Sequence, residues 1–174
     1  MASAELLLHP VRLRVVQAFL GDRALTTSDL RAELPDVPPA TLYRHVGALA
    51  EGGVLEVAEE RRVRGTVERT YRLPAGAGSI GPQEAATMSA EQHRQGFLAF
   101  VAGLLADFDR YLERDDVDLA RDLVGYRQAA MYLSDDELRE LIAELGTVLA
   151  SRTANGPGEG RTRRIFSTIL MPGE

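Results

Sequence analysis

LTTSDLRAELPDVPPATLYRHVGALAEGGVL, residues 25–55, carries two helix starts and two helix stops with a short turn between them. Thr26 is placed as an N-cap, Asp29 three residues later as the acid of a capping box, and Leu25 with Leu30 as a hydrophobic staple. That helix must end near Leu34, because Pro35 has no amide hydrogen and disfavours helical geometry in the residue before it. Pro39 suits the first position of a second helix, along which Leu42, Val46 and Leu49 form an inward stripe, and Gly52 and Gly53 end it. Thr41, Arg44, His45 and Ala48 fall on the opposite face, with Tyr43 to one side.

Upstream, PVRLRVVQAFL (10–20) places Leu13, Val16 and Leu20 at helical spacing, with Pro10 in the first turn and Gly21 as the cap. Downstream, VLEVAEE and TVERTYRL are strand-like and are joined by RRVRGT, which predicts a β-hairpin with a basic tip. Three short helices followed by an arginine-tipped hairpin is the order of a winged helix. A helix fits the major groove and presents its first turns to base edges, and arginines on a hairpin reach phosphates or the minor groove beside it. The expected contacts to double-stranded DNA are therefore Pro39, Ala40, Thr41, Tyr43, Arg44 and His45 on the third helix, and Arg61, Arg62 and Arg64 on the wing. Two of these keep alternatives: Tyr43 serves as a base or phosphate contact or as a cap on the second helix, and His45 faces the helix seam or a phosphate. Glu59, Glu60 and Glu68 are close enough to pair with some of the wing arginines.

HPVRLRVVQAFL, LTTSDLRAEL and ATLYRHVGALAEGGVLE with the following hairpin resemble the ArsR-type winged-helix regulators, and TLYRH is also similar to PadR-type regulators. The resemblance covers residues 6–73 and rests on the spacing of Thr41, Leu42, His45, Val46, Leu49, Gly53 and Leu55. It implies a homodimer that represses transcription until an effector binds. The cysteine-containing ligand motif of the metal-sensing members is absent.

Composition agrees. The 174 residues contain no cysteine, which excludes disulfides, thiolate metal sites and thiol nucleophiles, and His9, His45 and His93 lack ligand spacing, so no metal or cofactor is expected. No partnered nucleophile or phosphate loop points to an enzyme. No apolar run spans a bilayer and MASAELLLHPVR is not a secretion signal, so no membrane partner and a cytoplasmic location are expected. The net charge of −6 argues against a nucleic-acid partner until it is divided along the chain. Residues 1–74 hold 10 Arg and 10 acids; residues 75–174 hold 10 Arg and 16 acids. The excess acid lies wholly in the second half.

Residues 75–83 are Gly/Pro-rich and mark a linker between a DNA-binding domain, 1–74, and a dimerisation and effector-binding domain, 84–174. A helix is expected from about Glu84 to Arg114, with Leu98, Val101, Leu105, Phe108 and Leu112 at 3,4 spacing as a seam for a second copy, or for packing within the same subunit. RDDVDLARD is acidic but lacks the ligand pattern of a calcium loop. Residues 123–133 alternate as a strand and also permit a helix. Ser134 and Glu137 start a further helix, to about Ser151, and RTRRIFSTILMP ends as a strand, which favours the strand reading of 123–133 as its neighbour. Tyr126, Met131, Tyr132 and Phe166 are the kind of side chains that line an apolar effector pocket or simply fill a core. The expected architecture is mainly α with a small β component (α+β): a winged helix-turn-helix, a long dimerisation helix and a strand-helix-strand unit. The expected function is a homodimeric DNA-binding repressor on a pseudo-palindromic operator, released by a small-molecule effector; the alternative is a winged-helix protein-interaction adaptor.

Overall fold

A computed structural model describes residues 3–63 and 65–173, and the mixed α+β class is as expected. The chain divides into two compact units, Met1–Val117 and Asp118–Glu174.

The first unit opens with α1 (Ser3–Leu7) and α2 (Pro10–Ala18). Proline at the first position of α2 costs no hydrogen bond, and the His9 side chain caps the helix by accepting the Val11 amide. The expected stripe of this helix needs correction: Val15, Val16 and Phe19 are buried, Leu13 is half-buried and Leu20 is 43% exposed. The helix ends at Ala18, so Leu20 lies beyond it in a turn where Gly21 and Asp22 both take positive φ.

Strand β1 (Ala24–Thr26) feeds directly into α3 (Thr27–Glu33), whose capping box forms in both directions between Thr26 and Asp29. Helix α4 (Pro39–Glu51) follows the turn 34–38 and buries Leu42, His45, Val46 and Leu49. Strands β2 (Glu56–Val63) and β3 (Thr66–Arg72) close an antiparallel sheet in the order β1-β3-β2, with a bulge between Val57 and Glu59. The three-residue β1 escaped the sequence reading, because its Leu25 and Thr26 also belong to the signals that start α3. Leu25 and Tyr71, paired across β1 and β3, are buried in the core with Phe19, Leu30, Leu34 and the α4 stripe.

The Gly/Pro segment is not a free tether. Leu73 and Ile80 pack against the core, and Gly78 lies so close to Val16 that a Cβ there would come within 3.2 Å of its Cγ1. The long helix is also shorter than expected. A four-residue α5 (Pro82–Ala85) precedes α6 (Ala90–Leu112), because Ser89 and Gln92 form a capping box that restarts the helix. Helix α6 packs on α2 through a face of small residues: Ala99 and Gly103 are buried, and a Cβ on Gly103 would meet the Gln17 amide at 2.4 Å. The opposite face, with Leu98, Val101, Leu105 and Leu112, is exposed, and Phe108 is half-buried.

In the second unit α7 (Asp135–Thr153) begins with the expected Ser134–Glu137 capping box. The flanking segments 123–133, whose sequence favours a strand over a helix, and 161–172, expected as a strand, have no ladder among the described residues, where the single sheet is β1-β3-β2. Alternating or β-branched residues supply a face, but a strand also requires an edge to pair with.

Because the Thr26 side chain and the Asp29 carboxylate satisfy each other's backbone amides, Thr26→Ala is expected to destabilise the protein by about 1 kcal/mol. In urea unfolding this appears as a lower midpoint at an unchanged slope; an unchanged midpoint would show that the cap does not hold the start of α3.

Candidate nucleic-acid interface

The exposed face of α4 follows from what its other face buries. With Leu42, His45, Val46 and Leu49 turned into the core, Pro39, Ala40, Tyr43 and Arg44 are exposed and Thr41 is half-buried. Tyr43 is 56% exposed. One turn beyond Arg44, Gly47 extends this face with open space around it: a Cβ there would meet no atom within 4 Å. The outward surface is therefore Ala40, Tyr43, Arg44 and Gly47, two long side chains between two small ones.

His45 does not belong to that surface. It is only 4% exposed and sits in the seam between α4 and the start of α2. Its ring lies 4.3 Å from that of His9, and its Nδ1 accepts a hydrogen bond from Arg12 Nε at 3.4 Å. His9 Nδ1 accepts the Val11 amide at 3.2 Å, so both imidazoles act as acceptors and are held neutral. Burial is the main cause that lowers both pKa values, reinforced by the Arg12 and Arg44 guanidiniums and, for His45, by His9.

The turn that aims α4 is fixed by charge. Asp36 accepts a bidentate pair of hydrogen bonds from Arg14 on α2, both 2.7 Å, which holds its carboxyl below the usual carboxylate range. Asp107 on α6 adds to the field on Arg14 and is itself paired with Arg110. Thus α2, the turn before α4, and α6 share one charge cluster.

On the hairpin, one of the three acids expected to pair with the tip is engaged elsewhere: Glu60 pairs with Arg69 at 2.8 Å, while Glu59 and Glu68, the cross-strand neighbour of Arg61, have no ion pair among the described residues; Glu56, farther from the tip, pairs with Arg72. Arg61 and Arg62, which stand opposite Glu68 and Val67, are exposed and have no ion pair among the described residues. They lie within β2 rather than in a loop, because the strands extend nearly to the tip. Arg64 lies outside the described residues. Two surface residues were missed from sequence. Arg31 is exposed on α3 without an ion pair among the described residues, and Gly47 was hidden by its lack of a side chain. The position of Arg31 beside the inward Leu30 was the available signal for the first.

The residues proposed for an effector are not gathered into an enclosure: Tyr126, Met131, Tyr132 and Phe166 are all exposed, Tyr132 fully. No helix of the structure is long and apolar enough to cross a membrane, and no group of three or more metal-ligating side chains occurs among the described residues.

Residues 7–58 match a family described as a helix-turn-helix domain. No curated protein matches the chain. The matched segment runs from the end of α1 through α2, β1, α3 and α4 into β2, so the chain carries a winged helix-turn-helix domain, and this supports a DNA-binding regulatory function in general.

The two lowered imidazole pKa values give stability a defined pH dependence. The folded state resists protonation, so the unfolded state binds more protons once pH drops below about 6.5, and stability present in full above that value declines as pH falls. Thermal unfolding between pH 7.5 and 5 should show a falling melting temperature, with a shallower slope in His45→Gln. The carboxylates with lowered pKa, Asp29 and Asp36, add their loss only in more acid solution. A melting temperature that rises toward pH 5 would contradict a neutral pair in the seam.

Proposed function

We propose that the chain is a transcriptional regulator that binds double-stranded DNA as a homodimer, with α4 in the major groove and the hairpin against the flanking backbone, and with repression as the mode implied by its resemblance. The observation that carries the reading is the exposed face of α4, where Arg44 and Tyr43 project between Ala40 and Gly47. The two small residues let the helix backbone come close to the groove floor while the long ones reach base edges or phosphates. Thr41 and Pro39 stand at the helix start, where side chains contact DNA in such a docking. Arg61 and Arg62 supply the phosphate or minor-groove contacts of the wing, Arg31 a phosphate contact from α3, and His45 acts as a positioning residue behind the face.

A homodimer is supported by α6. Its small-residue face is used on α2, which leaves Leu98, Val101, Leu105 and Leu112 as an exposed apolar stripe on a 23-residue helix. A second copy of the same stripe is the partner in this reading, and two-fold symmetry then asks for an operator of two inverted half-sites about 34 Å apart.

Fluorescence anisotropy on DNA from upstream of the chain's own gene, compared with random DNA, tests the first part. Affinity should fall steeply with salt, with a log–log slope near −0.9 for each phosphate neutralised. Arg44→Ala should weaken specific binding at least tenfold, and Gly47→Glu should abolish it while leaving the melting temperature close to that of the parent, since nothing surrounds Gly47. A protein that binds neither DNA at low salt, or a Gly47→Glu variant that binds as well as the parent, would move the reading to a protein-interaction adaptor. Sedimentation tests the second part: Leu98→Glu with Leu105→Glu should shift a dimer toward monomer, and an unaffected dimer would remove α6 from the interface.

A further inference from the structure

Helix α7 is 19 residues long, has a complete capping box at its start, and buries none of its residues. On this helix Ile142, Leu145 and Val148 are exposed, and Leu138 and Leu149 are half-buried. In proteins most of a helix's stability comes from packing its apolar stripe rather than from capping and propensity, so the part of this stripe left exposed calls for a partner surface.

The stripe itself indicates which partner fits. Asp135, Leu138, Ile142, Leu145, Leu149 and Arg152 follow one another at spacings of 3, 4, 3, 4 and 3, the period of a coiled-coil seam. This spacing is the same in both directions about a point between residues 143 and 144. The chemistry is symmetric as well: an acid ends the seam at one end, an arginine at the other, and four aliphatic residues lie between them. Asp135 touches only Arg139, at 3.8 Å on the surface, and Arg152 has no ion pair among the described residues.

We propose that α7 pairs antiparallel with α7 of a second copy of the chain across a two-fold axis near residues 143–144. This rests on the homodimer reading above and adds a second contact to it, in the second unit. In the pair, Asp135 lies level with Arg152 of the other copy, Leu138 with its Leu149, and Ile142 with its Leu145. Each charged end thus meets its opposite, twice per dimer, and a parallel arrangement would instead set Asp135 beside Asp135. Gly146, with open space around it, allows close approach near the axis.

The absence of cysteine makes the test clean, because a single introduced thiol is then the only one in the 174 residues. At a rise of about 1.5 Å per residue, Leu145 and its symmetry mate are offset by only about 4.5 Å along the axis, whereas Leu138 and its mate are about 16 Å apart. A disulfide needs Cα atoms within about 7 Å. Under mild oxidation Leu145→Cys should form a covalent dimer, Leu138→Cys and Leu149→Cys should each remain uncrosslinked alone, and a mixture of the last two should crosslink. Circular dichroism of each variant before oxidation verifies that it is folded. If the parent sediments as a dimer but Leu145→Cys fails to crosslink, or Leu138→Cys alone crosslinks equally well, the α7 pairing is wrong while the α6 seam stands. If the parent sediments only as a monomer, both fail.

Discussion

The aim of α4 depends on one packed stripe. Leu42, Val46 and Leu49 are almost fully enclosed among α2, α3 and the base of the hairpin, and His45 is enclosed in the seam with α2. A helix has few faces, so burying these four fixes which residues are left outside. Arg44 and Tyr43 are outward because their neighbours are inward, and the turn before the helix is locked by the bidentate Arg14–Asp36 pair. The candidate interface is thus a by-product of the core: no residue on it has to stabilise the fold, which leaves its chemistry free to suit a partner.

The features legible in the sequence were those with local causes. The Thr26–Asp29 and Ser134–Glu137 boxes, Pro39 at a helix start and the 3,4 stripe of α4 are short-range signals that tertiary contacts had no reason to override. The Ser89–Gln92 box is equally local, but the long apolar stripe around it masked the break between α5 and α6. The features that were not legible depend on distant partners. Which of Val15, Val16, Phe19 and Leu20 points inward depends on where α2 ends against α6 and the sheet, and the three-residue β1 exists only because β3 pairs with it. Likewise, segments 123–133 and 161–172 have strand-like composition, yet composition cannot supply a neighbouring edge.

Within the candidate site, the division of labour between charges was hidden for the same reason. Twenty charges in residues 1–74 sum to zero, and only pairing decides which remain available. The hairpin directs Glu56 and Glu60 to Arg72 and Arg69, and the helices direct Asp36 to Arg14 and Glu33 to Arg23. Among the described residues this leaves Arg31, Arg44, Arg61 and Arg62 without an ion pair, together with Arg12, which donates to His45, and Glu5, Asp22, Asp29, Glu51, Glu59 and Glu68. Pairing removes equal numbers of each sign, so the segment stays neutral in sum, and what the fold decides is where the unpaired arginines stand: Arg44 on the outward face of α4, and Arg61 and Arg62 on the hairpin.

The small-residue face of α6 has a mechanical consequence. Where helices meet through long side chains, rotamer changes absorb small shifts, and one helix can move without disturbing the other. Ala99 and Gly103 remove that slack from the α6 side, so at this contact only the Gln17 side chain of α2 can give, and Asp107 on the same helix adds to the field on Arg14. A roll or slide of α6 beyond what Gln17 can absorb would bear on α2, and through the Arg14–Asp36 pair on the turn that holds the start of α4. The longest helix of the first unit is thus placed less as a tether than as a lever whose short arm ends beneath the start of α4.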